Sequence, residues 1–298
     1  CLGTMYFGTK NDKTTSYHLL DHYLDAGGTF LDTANIYSRW IEGFQGGESE
    51  TLLGEWMKER GNRDKVFLAS KVGFDYQDVP ISLRADLIEQ ECNRSLKRLG
   101  VETIDLYYAH KDDRDTPLEE TMEAFDRLIQ AGKVRYIGAS NYLAWRLERA
   151  KWVSESNDWA QFCCVQQRYT YLPLRPGASS GRQEVANDDL RQYCADTNTT
   201  LLAYSVMLGG AYTRDDRPLP NEYVSPDNEV RLQTLRTIAG EIGATPNQVL
   251  LCWMRQSAPS VIPLIAASTQ EQLDETINAL SFTLSDEQMR RLNVAWTA

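Results

Sequence analysis

Short apolar segments alternate with longer amphipathic segments along almost the whole chain. The short segments are rich in β-branched and aromatic residues, which favours strands, and the longer segments repeat apolar positions at helical spacing. Strands are predicted at 2–7, 29–32, 66–70, 103–108, 134–138, 162–166, 200–204 and 261–263. Helices are predicted at 14–26, 49–60, 83–99, 118–131, 188–196, 229–242, 246–256 and 270–279, with two more beginning at Leu143 and near Asp286.

This alternation predicts parallel strands that are joined by crossover helices. Eight strand–helix units in 298 residues favour a (β/α)8 TIM barrel, a fold that runs to about 250 residues or more. An open doubly wound sheet would more often show a GxGxxG turn after its first strand, and none is present. No break in composition divides the chain, so we expect one domain over 1–298. Long loops should follow strands six and seven, and an extra helix should follow the last barrel helix.

Composition and charge narrow the function. The net charge of −11 argues against binding to nucleic acid, which needs a basic surface, and against docking to an anionic membrane. No apolar run approaches the roughly 20 residues of a membrane span. The six cysteines, including the adjacent Cys163 and Cys164, form no CxxC pair, which favours reduced, buried thiols in a cytoplasmic protein. His18 and His22 lie four residues apart, but no third ligand accompanies them, so no metal site is expected.

Polar or ionisable side chains stand at the carboxyl ends of six consecutive predicted strands. Carboxyl ends of parallel strands meet at one rim of a barrel, where active sites are built, so these side chains should lie close together. One lysine or histidine at such a position is usually structural, but six coinciding positions favour a site. In chain order they are Asp32 with Tyr37 in the following loop, Lys71, His110, Ser140 with Asn141, Gln166, and Tyr204 with Ser205.

These residue types suit the reduction of a carbonyl group, which needs a hydride on carbon and a proton on oxygen. No side chain donates a hydride, so a nicotinamide cofactor is expected. Tyr37 is the candidate proton donor, although an unperturbed tyrosine titrates only near about 10. Lys71 would stabilise its phenolate, Asp32 would hold Lys71 charged, and His110 would orient the substrate oxygen.

The chain resembles the aldo-keto reductase family over essentially its whole length. The stretch DTANIY at 32–37 matches the family pattern D-T-A-x-x-Y, and ASKVG around Lys71 and YYAH ending at His110 match its other catalytic positions. GESETLLGEW at 47–56 and IPLIAASTQEQLDETI at 262–277 match further family signatures. The resemblance implies a (β/α)8 fold and a catalytic tetrad of Asp32, Tyr37, Lys71 and His110.

The same resemblance implies a bound NADP(H), which most members of the family hold without a Rossmann fold. The family often binds the adenosine 2′-phosphate through Arg or Lys near the start of the last barrel helix, but segment 266–272 contains neither residue. Hydroxyl groups and the helix N-terminus can still bind a phosphate. We therefore expect NADP(H) to be preferred and NAD(H) to be possible, because charge assistance to a phosphate is usual but not required. The implied cofactor contacts are Gly3, Thr4, Met5, Asp32, Ser140, Asn141, Gln166, Tyr204, Ser205, Leu208, Gly210, Ala267, Ser268, Gln272 and Glu275.

Two other functions are compatible with the same fold. A cofactor-sensing regulatory subunit, similar to the potassium-channel β subunits, is one alternative, but those subunits depart from the tetrad at the histidine, and His110 is present here. A lyase or aldolase that uses Lys71 as a Schiff base is the other, and it needs a lysine of lowered pKa. Asp32 beside Lys71 is expected to raise that pKa, which argues against the Schiff base.

The substrate is expected to be a small-molecule carbonyl compound or a sugar. Trp40 follows the loop that carries Tyr37, and with His110 it is the candidate lining of a substrate pocket, since aromatic side chains line most such pockets. Substrate identity depends on the loops 38–47, 172–186 and 208–228. Nothing in the pattern indicates an oligomeric state.

Overall fold

A computed structural model describes residues 1–296 of the protein. Within them, eight parallel strands follow one another in sequence order in one sheet and alternate with helices. The strands are β1 (Leu2–Gly3), β2 (Phe30–Asp32), β3 (Phe67–Val72), β4 (Ile104–Ala109), β5 (Val134–Ser140), β6 (Phe162–Arg168), β7 (Thr200–Tyr204) and β8 (Val261–Pro263). The helices are α1 (Lys13–Asp25), α2 (Glu48–Arg60), α3 (Ala85–Leu99), α4 (Leu118–Gln130), α5 (Ala144–Asn157), α6 (Asp188–Thr197), α7 (Pro226–Ile242), α8 (Pro246–Gln256), α9 (Gln270–Asn278) and α10 (Asp286–Asn293).

The first of two compact units comprises Cys1–Gln166. Its strands are buried almost continuously, as expected of a parallel sheet that helices cover, and β4 is buried along its whole length. The pairing register brings Asp32 opposite Ala69 and Lys71 opposite Tyr108. This register aligns the carboxyl ends of β2, β3 and β4, and these ends carry the predicted catalytic side chains.

Local signals explain where the helices of this unit begin and end. The Asp12 side chain caps α1 by accepting a hydrogen bond from the Thr15 amide, and α2 stops before Gly61, whose φ of 59° favours glycine. Gly54 allows α2 to approach the end of α3, because a Cβ atom there would lie 2.5 Å from the Arg98 carbonyl oxygen. An alanine at position 54 would therefore push the two helices apart.

The second compact unit begins at Gln167. Its strands β7 and β8 pair with Leu201 opposite Val261 and Ala203 opposite Pro263. Capping boxes open both α8 and α10, each with a hydroxyl residue at the cap and a glutamine three positions later. Such caps hold helix ends at fixed residues, and α8 accordingly has the predicted bounds.

The segments that follow β6 and β7 are long, as predicted. The first is attached to the strand end, since Arg168 donates its amide to the Glu184 carbonyl (3.1 Å) and the Ala186 amide donates to the Arg168 carbonyl (3.0 Å). The second contains two short 3-10 turns, at Leu208–Gly210 and Asn221–Tyr223. The hydrogen bonds define the path of the first segment, and the two turns define the path of the second.

The topology is that of the predicted (β/α)8 barrel class, and the extra helix after the last barrel helix is confirmed as α10. The first strand is shorter than predicted, because the Phe7 amide bonds the Thr4 carbonyl (3.0 Å) and turns the chain directly after Gly3. The single domain over 1–298 stays a prediction. None of the helices within 1–296 is long and apolar enough to cross a membrane.

Candidate active site

Asp32 and Lys71 are fully buried at the carboxyl ends of neighbouring strands. Asp32 ends β2, and Lys71 is the last residue but one of β3. The chain turns after Asp32, with the Tyr37 amide bonded to the Ala34 carbonyl (3.3 Å). This turn places Tyr37, which is 8% exposed, beside the two charged side chains.

The three side chains form one hydrogen-bonded cluster. Lys71 Nζ donates to the Asp32 carboxylate, to the Thr33 carbonyl (2.8 Å) and to the Tyr37 hydroxyl (2.6 Å). The Tyr37 hydroxyl donates in turn to Asp32 Oδ1 (3.2 Å). An ammonium group has three donors, and all three are therefore used.

Burial and the neighbouring carboxylates shift the pKa of Lys71 in opposite directions. Burial lowers the pKa of Lys71, and the charges of Asp32 and then Glu50 raise it by less. Asp32 raises the pKa of this lysine, as expected, but complete burial lowers it by more, and that larger effect of burial was not foreseen. The Schiff-base alternative still gains no support, since the amine is enclosed and donates to three acceptors.

His110 directly follows β4, and its amide bonds the Val72 carbonyl (2.7 Å). Its ring meets Tyr37 and Phe74 edge to face, with centroid distances of 6.1 and 4.8 Å. Burial, and then the charge of Lys71, hold the pKa of His110 well below its ordinary value. Nδ1 of this ring is buried and has no hydrogen-bond partner among the placed residues. A neutral imidazole with a spare nitrogen therefore lies beside the tyrosine.

Gln166 contacts the cluster directly, which sequence reasoning did not foresee. Its Nε2 donates to Asp32 Oδ2 (2.8 Å), so each carboxylate oxygen has a donor. The predicted neighbours Ser140 and Asn141 also lie here. Asn141 Nδ2 donates to the His110 carbonyl (2.9 Å) and to Ser140 Oγ (3.1 Å). The backbone amide of Asn141 donates to the Gln166 carbonyl (3.3 Å).

The predicted residues near the start of the chain support β2 and the tyrosine turn. Thr4, next to Gly3, donates its hydroxyl to the Asp32 carbonyl (3.0 Å), and the Met5 carbonyl accepts a bond from the Ser38 hydroxyl (2.8 Å). Trp40, the other candidate pocket residue, is 51% exposed. The role of Trp40 in lining a substrate pocket therefore stays a prediction.

A buried ion pair beside β3 was also missed. Glu50 on α2 is fully buried, accepts a bond from the Ser70 hydroxyl and pairs with Arg98 Nε (2.6 Å). Its charge contributes to the pKa of Lys71. The signal in the sequence was a glutamate on the apolar face of a helix, within the family signature GESETLLGEW.

In the second unit, two of the predicted cofactor residues after β7, Ser205 and Leu208, have a strained backbone conformation. Tyr204 ends the strand, and its carbonyl accepts the Tyr169 amide (3.2 Å). Positive φ angles follow at Ser205 (57°), Leu208 (48°) and Gly210 (99°). Non-glycine residues in this region cost free energy and often mark ligand-binding turns.

The remaining predicted cofactor residues surround the start of α9. The Ser268 amide donates to Gln272 Oε1 (2.8 Å), and Ala267 beside it is buried. Glu275 accepts bonds from Thr245 Oγ1 (2.6 Å) and Asn247 Nδ2 (3.3 Å), so it joins α9 to α8. No Lys or Arg occurs in 264–278, so a phosphate here would rely on amides and hydroxyls.

Within each unit, taken by itself, the donor groups suit a different part of a nicotinamide cofactor. Ser140, Asn141 and Gln166 provide the hydroxyl and amide groups that a carboxamide needs, and the spare nitrogen of His110 can bond a further oxygen. The N-terminus of α9 can bind a phosphate, but without the guanidinium that most strongly selects one. Across 1–296, no three His, Cys, Asp or Glu side chains are grouped to hold a metal ion.

A (β/α)8 fold with this cluster of Asp, Tyr, Lys and His at the strand ends defines a class of oxidoreductases. The family model described as "Aldo/keto reductase family" matches residues 1–297, and the chain belongs to this family. It is 32% identical to the oxidoreductase YrpG of Bacillus subtilis (strain 168), over 98% of this chain and 90% of that protein.

Two further relatives agree with this membership. The aldo-keto reductase yakc [NADP(+)] of Schizosaccharomyces pombe (strain 972) is 29% identical, over 99% of this chain and 86% of its own length. A crystal structure designated as a 2,5-diketo-D-gluconic acid reductase B has a TM-score of 0.73 and 25% identity, over 98% of this chain and 85% of that one.

Proposed function

We propose that the protein is an NADP(H)-dependent carbonyl reductase that also catalyses the reverse oxidation of an alcohol. The observation that carries this proposal is the bonding of Lys71 Nζ to the Tyr37 hydroxyl and to Asp32 in one buried cluster. A hydroxyl group that can give up a proton beside a fixed cation is the acid that carbonyl reduction requires.

In the proposed mechanism, Tyr37 donates its hydroxyl proton to the substrate oxygen. Lys71 stabilises the phenolate that remains, since it already donates to that oxygen at 2.6 Å. Asp32 holds the lysine in place and balances its charge. A nicotinamide cofactor, when bound, supplies the hydride that the carbonyl carbon receives. In alcohol oxidation the Tyr37 phenolate takes the proton back.

His110 is proposed to orient the carbonyl oxygen. Its lowered pKa keeps the ring neutral at pH 7, so one ring nitrogen can donate a hydrogen bond without adding a second positive charge near Lys71. The unpartnered Nδ1 supports a contact with a bound molecule, because buried polar atoms are normally paired.

We propose NADP(H) as the preferred cofactor, with NAD(H) as a weaker alternative. The relative named with NADP(+) supports this preference, whereas the absence of Lys and Arg from 264–278 predicts weak discrimination. The proposed contacts are those inferred from the family resemblance.

The proposed substrate is a small aldehyde, ketone or sugar. The name of the relative of known structure refers to a keto-sugar acid, which supports the sugar class without selecting it. We also propose a cytoplasmic location, because Cys92, Cys163, Cys164, Cys194 and Cys252 are free thiols and thiols persist in reducing compartments.

The test follows reduced-cofactor absorbance with aldehydes, ketones and sugars, with NADPH and NADH in parallel. We expect turnover by the native protein and its loss in Tyr37→Phe, which keeps the ring and removes only the hydroxyl. Tight cofactor binding without turnover of any substrate would favour the cofactor-sensing alternative. The absence of both cofactor binding and turnover would overturn the proposed site.

A further inference from the structure

Glu91, in α3, is a fully buried carboxylate that does not belong to the predicted catalytic or cofactor-binding sets. Burial of a charge is costly unless the charge is paired and hydrogen-bonded, so its partners indicate its role. Its Oε1 accepts a bond from Arg94 Nη1 (2.8 Å), one helical turn away. Its Oε2 accepts bonds from Asn35 Nδ2 (2.8 Å) and from the Tyr76 hydroxyl. The last two donors lie in the loops after β2 and β3, so Glu91 joins both loops to α3.

Asn35 lies in the turn that leads to Tyr37, and the turn is bonded through it on two sides. Its backbone amide donates to the Lys71 carbonyl (3.4 Å), which attaches the turn to β3. Its side chain donates to Glu91, which attaches the turn to α3. The Asn35 Oδ1 atom is buried and has no hydrogen-bond partner within 1–296. The amide nitrogen, rather than the oxygen, is therefore the group through which this side chain acts.

Ile36, between Asn35 and Tyr37, packs against the other loop residue that Glu91 binds. Ile36, Tyr76 and Val79 form a buried apolar cluster, and the backbones of Tyr76 and Val79 bond each other in both directions (3.1 and 2.8 Å). This packing uses the Tyr76 ring and does not require its hydroxyl. The Asn35 amide and the Tyr76 hydroxyl thus bond the same carboxylate oxygen, but only Asn35 belongs to the turn.

We propose that Glu91 is a positioning residue for Tyr37 and that it acts through Asn35. The bond between them holds the turn against α3 and so keeps the Tyr37 hydroxyl on Lys71 Nζ (2.6 Å). Proton transfer depends steeply on such placement, since a displacement of about 1 Å can cost about a hundredfold in rate. Glu91 itself contacts none of the reacting groups. The inference rests on the proposed function, because it concerns the proton donor of the reductase.

The test compares two variants of the full chain that each remove one donor to Glu91 Oε2. Asn35→Leu replaces the amide by an apolar group of similar shape, and Tyr76→Phe removes only a hydroxyl. Urea unfolding should show a loss of stability in both variants, because each leaves a buried oxygen with one partner fewer. Only Asn35→Leu should slow hydride transfer in a single turnover, by about ten- to a hundredfold, with NADPH affinity within about twofold of native.

Two variants at Glu91 separate the bond to Asn35 from the ion pair with Arg94. Glu91→Leu removes the acceptor and should slow transfer as much as Asn35→Leu does. The double variant should be no slower than either, since both substitutions break the same bond. Glu91→Gln keeps an oxygen for Asn35 and should recover most of the rate. The Arg94 side chain is 42% exposed, so water can replace its lost partner.

The placement of Tyr37 can also be followed without turnover. NMR of protein labelled at the tyrosine Cζ atoms reports the surroundings of each hydroxyl, and Tyr37→Phe assigns the Tyr37 signal. This signal should move in Asn35→Leu and stay unchanged in Tyr76→Phe. The proposal is overturned by an unmoved signal in Asn35→Leu, by its transfer at the native rate, or by an equal loss of rate in Tyr76→Phe. Failure of the proposed function would differ, because the native protein would turn over no carbonyl substrate while the Tyr37 signal still moved.

Discussion

The predicted site residues have different surroundings in the two units. In the first unit, charged side chains such as Asp32 and Lys71 are fully buried and bonded to each other. In the second unit, the predicted phosphate-binding segment around Ser268 is largely exposed and contains no Lys or Arg, so it offers only amides and hydroxyls to a phosphate. Buried charges tolerate almost no change, whereas an exposed segment without basic residues can change its selectivity at little structural cost. We therefore expect substitutions in the first unit to abolish function and those in the second to adjust it.

Lys71→Met should have the largest effect. It removes the cation from the phenolate and leaves Asp32 as a buried carboxylate without its ion-pair partner, which costs about 3–5 kcal/mol of stability. We expect turnover to fall by about a thousandfold or more, since acid–base assistance alone contributes about 10²–10⁴. Urea unfolding and steady-state assays measure the two effects.

The double variant Asp32→Asn/Lys71→Met separates stability from catalysis. Removing both charges should recover much of the lost free energy of unfolding without restoring turnover. If the single variant Lys71→Met kept native stability and activity, the claim that the cluster acts as one functional unit would be wrong.

Most of the fold could be predicted because local signals agree with the hydrophobic pattern. The bounds of β7, α8 and β8 match the prediction, and Thr245 with Pro246 marks the start of α8 in the sequence. The first strand was predicted too long, because the apolar run that includes Met5 and Phe7 continues into a turn. Burial of that run through tertiary packing gives the same pattern as a strand.

Gln166→Leu should have the second largest effect. Leucine cannot donate to Asp32 Oδ2, so one carboxylate oxygen would be buried without a partner, at a cost of about 1–3 kcal/mol. We expect lower stability and a lower kcat, whereas a residue that contacts only the cofactor would change cofactor affinity alone. Unchanged stability with weakened cofactor binding would show that the bond to Asp32 is unimportant.

Ser268→Arg should adjust the selectivity of the second unit. An arginine at this exposed position adds a guanidinium to a segment without basic residues, so the preference for NADPH over NADH should rise by about tenfold, as for a charge-assisted bond. The ratio of kcat/KM values for the two cofactors measures it, with Ser268→Met as the neutral control. An equal change in both variants would argue against phosphate binding here.

A smaller effect should appear in the pH dependence of stability. The pKa of His110 is lowered in the folded protein, so below about 6.5 the unfolded chain binds a proton that the folded chain does not. Stability should therefore fall as the pH drops from 7.5 towards 5.5, by up to about 1.4 kcal/mol per pH unit from this group. In His110→Gln this contribution should be absent. Parallel curves of unfolding free energy against pH for the two proteins would contradict a contribution from His110.

The site could be predicted only in part. The proximity of Asp32, Tyr37, Lys71 and His110 could be predicted because each stands near a strand end and each belongs to a chemically distinctive type, whereas their catalytic roles stay a prediction. The bond from Gln166 to Asp32 was not foreseen, since it joins positions 134 residues apart and depends on side-chain geometry. The exposure of Cys163, which was expected to be a buried thiol, depends on which face of β6 it occupies.

The most direct test of the central claim compares cofactor binding with hydride transfer in Tyr37→Phe. A single turnover with an accepted carbonyl substrate would be followed by cofactor absorbance, and NADPH affinity would be measured on the same samples. The proposed mechanism predicts near-native affinity for NADPH and hydride transfer slowed by about a hundredfold or more. Transfer at the native rate would show that Tyr37 is not the proton donor.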